Sequence, residues 1–252
     1  MAELIPLLEL NAPGVLHTGL VAVVLASAFA VGGSFRPSKA IGLSDRTLVS
    51  FGAGMSVAYV FVHVLGELAE ARAVVADLES VPRPFEGRIV YFVGLLGFLA
   101  AYGLDHLYEP GEPDPRTERN SLTRQVGGFA LYAVLVAYLL VNGIEQAPNR
   151  LTLFAVAMAA HFLSINRTLS DEYGAAYTWP FRAVLSAAVL IGWAVGLTAV
   201  VPRSAIAMLM AFVSGAVIMN SAVSELPAER EGRLGAFVTG GLVFGLILLA
   251  LA

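Results

Sequence analysis

The sequence predicts an all-α integral membrane protein, and three observations predict it. Hydrophobic residues make up 58% of the 252-residue chain and charged residues 13%, far from soluble usage. The apolar residues gather into eight runs, each near the roughly 20 residues a helix needs to cross a bilayer. Prolines and charges collect mostly between the runs. A segment in lipid must satisfy its backbone N–H and C=O groups internally, so runs of this kind are read as helices.

The first span, 13–34, begins at Pro13 after an acidic start (Glu3, Glu9). It lacks the basic lead of a cleaved signal and is expected to stay in the mature protein. Gly32-Gly33-Ser34 and Arg36-Pro37 close it. The second, 48–70, ends in His63, Glu67 and Glu70, and Glu79 to Pro84 separate it from the third, 87–107. Glu109-Pro110-Gly111-Glu112-Pro113-Asp114-Pro115 breaks any helix, and 109–124 is read as a cytoplasmic linker. The fourth (125–144) and fifth (151–169) spans meet around Pro148. Pro180, Pro202 and Pro227 mark the joints around the sixth (180–201) and seventh (204–225). The eighth, 234–252, carries Gly235, Gly240, Gly241 and Gly245, small residues that let helices approach closely. Eight spans leave no room for a soluble domain, so residues 1–252 form one transmembrane domain.

Charge sets the orientation. The odd-numbered loops hold ten Arg and Lys residues, from Arg36 to Arg233, and the even-numbered loops five. The positive-inside rule then places the odd loops in the cytoplasm and both termini outside. This is the topology expected in a plasma (inner) membrane. A net charge of −4 without a basic cluster argues against nucleic acid as a partner. There is no cysteine, so disulfides and thiolate metal sites are excluded. No nucleophile–base motif, phosphate-binding glycine loop or HExxH pair proposes an enzyme.

Polar residues inside the spans are functional candidates because burial in lipid is costly. His63 and Glu67 stand four apart on one helical face, a spacing that suits a metal, a proton relay or an ordinary ion pair. Tyr138 and Asn142 share a face in the fourth span, where interhelical hydrogen bonding is the simpler reading. His161 lies mid-span in the fifth with Ser164, Asn166 and Arg167 near it, and requires a partner, water or ligand. Asn220 and Ser224 line one face of the seventh, followed by Glu225. Phe51-Gly52-Ala53-Gly54 and Phe212-Val213-Ser214-Gly215 open similar apolar stretches in spans two and seven. Those spans point in opposite directions, as in an inverted repeat, although small residues also serve plain helix packing.

Over its whole length this pattern resembles the ZIP (Zrt/Irt-like) family of divalent-metal transporters. The shared features are eight helices, external termini and a variable loop after the third helix. The run into His63-Val64-Leu65-Gly66-Glu67 is similar to the family's second helix, and Ala211-Phe212-Val213-Ser214-Gly215 through Glu225-Leu226-Pro227-Ala228-Glu229 to its seventh. Gly103-Leu104-Asp105-His106-Leu107 is similar to the end of its third. The family's metal cage sits on helices four and five, usually as HNxxDG and HExxHE. Here the matching stretches are Tyr138-Leu139-Leu140-Val141-Asn142-Gly143 and His161-Phe162-Leu163-Ser164-Ile165-Asn166. Only Gly143 and His161 keep the pattern.

A bare divalent ion needs anionic or imidazole ligands, and a cage without carboxylates would strand its charge in low dielectric. The two-metal cage is therefore expected to be absent. His161, Asn142, Asn166 and Tyr138 form a degenerate metal site, with His63 and Glu67 as a secondary one. No cofactor is required, though the site leaves room for one weakly held divalent ion. The resemblance implies a divergent transporter of a weakly bound metal or another small solute. The alternative is a non-transporting structural or regulatory subunit on the same scaffold, since Phe162 and Ile165 would plug the route. Partners are the lipid bilayer, a small solute or metal ion and, by resemblance, a second copy in a homodimer or a larger membrane assembly.

Overall fold

The computed structural model describes residues 12–31, 42, 44–76, 87–106, 115–142, 148–199, 201–221 and 232–251. Among these the chain is all-α, with eight main helices and no strand. They are α1 (Ala12–Val31), α2 (Asp45–Tyr59, a π-helical turn Val60–Val64, then Leu65–Ala76), α3 (Arg88–Asp105) and α4 (Pro115–Asn142). After them come α5 (Pro148–Tyr173), α6 (Trp179–Thr198), α7 (Arg203–Met219) and α8 (Leu234–Leu251). Four of them, α1, α2, α4 and α6, are long and apolar enough to cross a membrane, and α3, α7 and α8 are shorter apolar helices. Phe92, Leu95 and Leu99 on α3 and Leu242, Leu246 and Leu249 on α8 are exposed at helical spacing. Such apolar stripes would be a liability in water and suit a surface that faces lipid.

The second half of the expected linker 109–124 is helical. Helix α4 begins at Pro115, so residues 115–124 are helical, and 109–114 lie outside the described residues. Proline fits the first helical position because its missing N–H has no intrahelical partner there. Exposed Arg116, Glu118, Arg119 and Asn120 then carry the helix beyond its apolar section. In the same way α5 starts at Pro148 and runs to Tyr173, and α2 runs to Ala76. Hydropathy marks the apolar part of a helix and misses its polar ends. The two terminal stretches, Gly143, Ser224, Glu225 and Pro227 also lie outside the described residues.

In lipid, helices associate through close packing and hydrogen bonds more than through apolar transfer. Three pairs pack most extensively: α2 with α8, α3 with α7, and α4 with α6. Glycine permits all three, a Cβ at Gly192 of α6 overlapping the Val134 carbonyl oxygen of α4, and in the first two the contact is reciprocal. A Cβ at Gly54 would overlap the Phe237 carbonyl oxygen, and one at Gly240 would overlap that of Phe51. Between α3 and α7, a Cβ at Gly215 would overlap the Gly94 carbonyl oxygen and one at Gly97 that of Phe212. Both contacts use a residue and the glycine three positions on, from each helix. The arrangement occurs twice in the same register.

Helix α1 seats against α5 and α6. Ser186 Oγ donates to the Ala26 carbonyl at 2.9 Å, and Trp193 Nε1 donates to Thr18 Oγ1 at 3.2 Å. The Phe29 and Phe162 rings stack at 4.6 Å with both side chains fully buried. At the start of α2, Ser44 caps the helix by accepting from the Thr47 amide at 3.3 Å.

Candidate functional site

Two open clefts follow the seam between α2, α5 and α7. One is bordered by Val64 and Glu67 of α2, Phe154 of α5, Met210 and Ser214 of α7, and Leu139 of α4. The other is bordered by Met55 and Ser56 of α2, Ala157 and His161 of α5, Ser221 after α7, and Phe244 of α8. Tyr59, Met158 and Val217 border both. They form the partition on which the clefts meet. The Glu67 cleft takes the later part of α2 with the earlier parts of α5 and α7, and the His161 cleft takes the reverse. Helix α2 therefore runs opposite to α5 and α7 along this seam.

Helical spacing builds the walls. Met55, Tyr59, His63 and Glu67 follow one another at intervals of four along α2, and each one or its neighbour touches the seam. His63 Nε2 lies 3.2 Å from Glu67 Oε1, both side chains about a quarter exposed (27% and 23%). The Tyr59 ring lies 4.9 Å from that of His63. The π-helical turn Val60–Val64 falls inside this series, and π turns recur where a helix is adapted to a function.

The predicted set on helices four and five is divided. His161 is buried, with Asn220 Nδ2 of the α7 end 3.4 Å from its Nδ1 and the Tyr132 ring of α4 edge-on at 5.8 Å. It borders the second cleft. The neighbours of the other three lie on different helices. Asn142 Nδ2 donates to the Gly196 carbonyl at 2.9 Å and to Tyr138 O at 3.3 Å, and Tyr138 OH donates to the Ala199 carbonyl at 3.3 Å. These bonds tie α4 to the end of α6. Fully buried Asn166 donates through Nδ2 to the carbonyls of Phe29 at 3.2 Å and Ala28 at 3.4 Å, in the last turn of α1. It satisfies acceptors a helix end leaves open, while its Oδ1 has no hydrogen-bond partner among the described residues. Phe162 packs between Phe29 and Tyr132.

Among the described residues, no three His, Asp or Glu side chains gather as a metal site would require. The described residues bordering the clefts are instead one carboxylate (Glu67), one imidazole (His161), hydroxyls (Ser56, Tyr59, Ser214, Ser221) and three methionines (Met55, Met158, Met210), with apolar side chains between them. Sequence reasoning missed the methionines and Tyr59. A thioether in an apolar run looks like any core side chain, but the four-residue series from Met55 to Glu67 was there to be read. The sequence matches no protein-family model and no curated protein.

Proposed function

We propose that this chain is a divergent ZIP-like transporter that crosses the membrane eight times with both termini outside, and that its solute follows the α2–α5–α7 seam. The observation that carries this reading is the pair of clefts meeting end to end at Tyr59, Met158 and Val217. A small barrier between two polar-tipped recesses is what alternating access requires. The antiparallel course of α2 against α5 and α7 agrees with successive crossings in alternating directions. The doubled glycine contact supports an inverted repeat. Exchanging α2 with α7 and α3 with α8 maps Phe51 and Gly54 onto Phe212 and Gly215, and Phe237 and Gly240 onto Gly94 and Gly97. Under the charge-derived topology, the Glu67 cleft faces outward and the His161 cleft faces the cytoplasm.

A second reading, a non-transporting scaffold, has its own support. Asn142, Asn166 and Tyr138 are engaged in helix packing, and Phe162 fills the space beside α1. The natural absence of cysteine makes the two separable. Single cysteines at Ser214 and Ser56 are placed in turn and probed in oriented vesicles with a membrane-impermeant thiol reagent. The transporter reading expects Ser214→Cys to react from outside and Ser56→Cys from the cytoplasmic face. Unreactive cysteines at both positions, in folded protein, would leave the scaffold.

A further inference from the structure

The chemistry of the seam indicates what passes along it. Five methionines follow Met1, and three of them, Met55, Met158 and Met210, border the clefts. They are spread along its length: Met210 on the Glu67 cleft, Met55 on the His161 cleft, and Met158 on the partition between them. The other two, Met208 and Met219, border neither cleft. Each of the three helices that form the seam contributes one thioether.

Thioether sulfur is uncharged and polarizable. It is a good ligand for soft d10 ions and a poor one for hard divalent ions, which select oxygen. The imidazole of His161, one turn beyond Met158 on α5, belongs to the same neutral and moderately soft class. Charge points the same way. Among the described residues that border the clefts Glu67 is the single carboxylate, and His63 Nε2 lies 3.2 Å from it, so these walls supply at most one negative charge. A divalent ion would carry an unbalanced charge past Tyr59, Met158 and Val217, beside which no acidic side chain other than Glu67 borders the clefts among the described residues.

We propose that the seam conducts a soft monovalent cation, Cu(I) or its analogue Ag(I). The ion is collected near Glu67 and Met210, handed across the partition by Met158, and received by Met55 and His161. Beyond Glu67 the transfer passes between neutral ligands, and it involves no change of oxidation state. This assignment rests on the transporter reading and narrows its cargo.

The test uses the full-length, naturally cysteine-free protein in detergent, with Ag(I) as the probe and calorimetry as the readout. Met158→Leu conserves volume, so the fold should persist, and an unchanged thermal midpoint verifies this. We expect Ag(I) to bind in the micromolar range or tighter, Met158→Leu to weaken binding at least tenfold, and Met208→Leu to leave it unchanged. A tenfold excess of Zn(II) or Mn(II) should not displace the silver. Absence of silver binding, equal loss in Met158→Leu and Met208→Leu, or displacement by Zn(II) would overturn the proposal. If the cysteines at Ser56 and Ser214 react from opposite faces while silver fails to bind, the cargo assignment falls and the transporter reading stands. If silver binds at Met158 while both cysteines stay closed, the conducting route falls together with that reading.

Discussion

Gly54→Ala probes the packing of the bundle at one of the points where it has least tolerance. A methyl group there would overlap the Phe237 carbonyl oxygen and stand 2.8 Å from the Gly241 amide nitrogen and 2.9 Å from the Phe237 carbonyl carbon. All three atoms are backbone and none can rotate away. Helices α2 and α8 must separate by on the order of 1 Å, loosening one of the most extensive interfaces in the fold. Overpacking costs about 1–3 kcal/mol where side chains can adjust, and here the upper end applies. Alanine's better helix propensity returns about 1 kcal/mol, which leaves a net loss of about 2 kcal/mol. At roughly 2–4 °C per kcal/mol for a chain of this size, the thermal midpoint should fall by about 4–8 °C. Tryptophan fluorescence from Trp179 and Trp193 in detergent would follow it. Gly66→Ala, on the same helix, is the control: a Cβ there meets nothing within 4 Å. Its midpoint should stay level or rise. Equal midpoints for the two variants would show that α2 and α8 do not approach at Gly54.

Two further substitutions test the residues around the seam. Phe162→Ala removes a fully buried ring stacked on Phe29 and should cost about 3–5 kcal/mol in denaturant titrations, and a loss under 1 kcal/mol would mean that the space collapses freely. Asn166→Ala deprives the Ala28 and Phe29 carbonyls of their donor and should cost about 1–3 kcal/mol, and Asn166→Asp should cost more because it sets a carboxylate against two carbonyl oxygens. A melting temperature for Asn166→Asp equal to that of the parent chain would show that these bonds do not hold α1.

The helices were legible because lipid imposes one solution on a long apolar run, and each run falls on a helix of the structure. Their ends were less legible. Pro115 looked like a breaker and is a helix start, since proline is harmful inside a helix and harmless in its first turn. The π turn Val60–Val64 has no compositional mark at all. At the site, His161 and Glu67 stood out as polar groups in apolar runs, and both border the clefts. Asn142 and Asn166 stood out for the same reason, yet they serve neighbouring backbones. Which of two adjacent faces a side chain takes depends on the crossing of helices, and a single sequence does not encode that crossing locally. Ile165 and Phe162, read as plugs, are both buried, with Phe162 against α1 through Phe29.

The π turn in α2 has a consequence for how the chain can change. Before it, α2 packs on α8, and after it, on α7. A π turn amounts to one residue more than a regular helix would use, and one residue corresponds to roughly 100° of azimuth. The extra residue therefore acts as a swivel: it aims the later half of α2, with Glu67 on it, independently of the half clamped at Gly54. Losing that residue would leave the clamp at Gly54 intact and turn the carboxylate away from the seam, so the lining of the Glu67 cleft can change in a single step without loss of the fold.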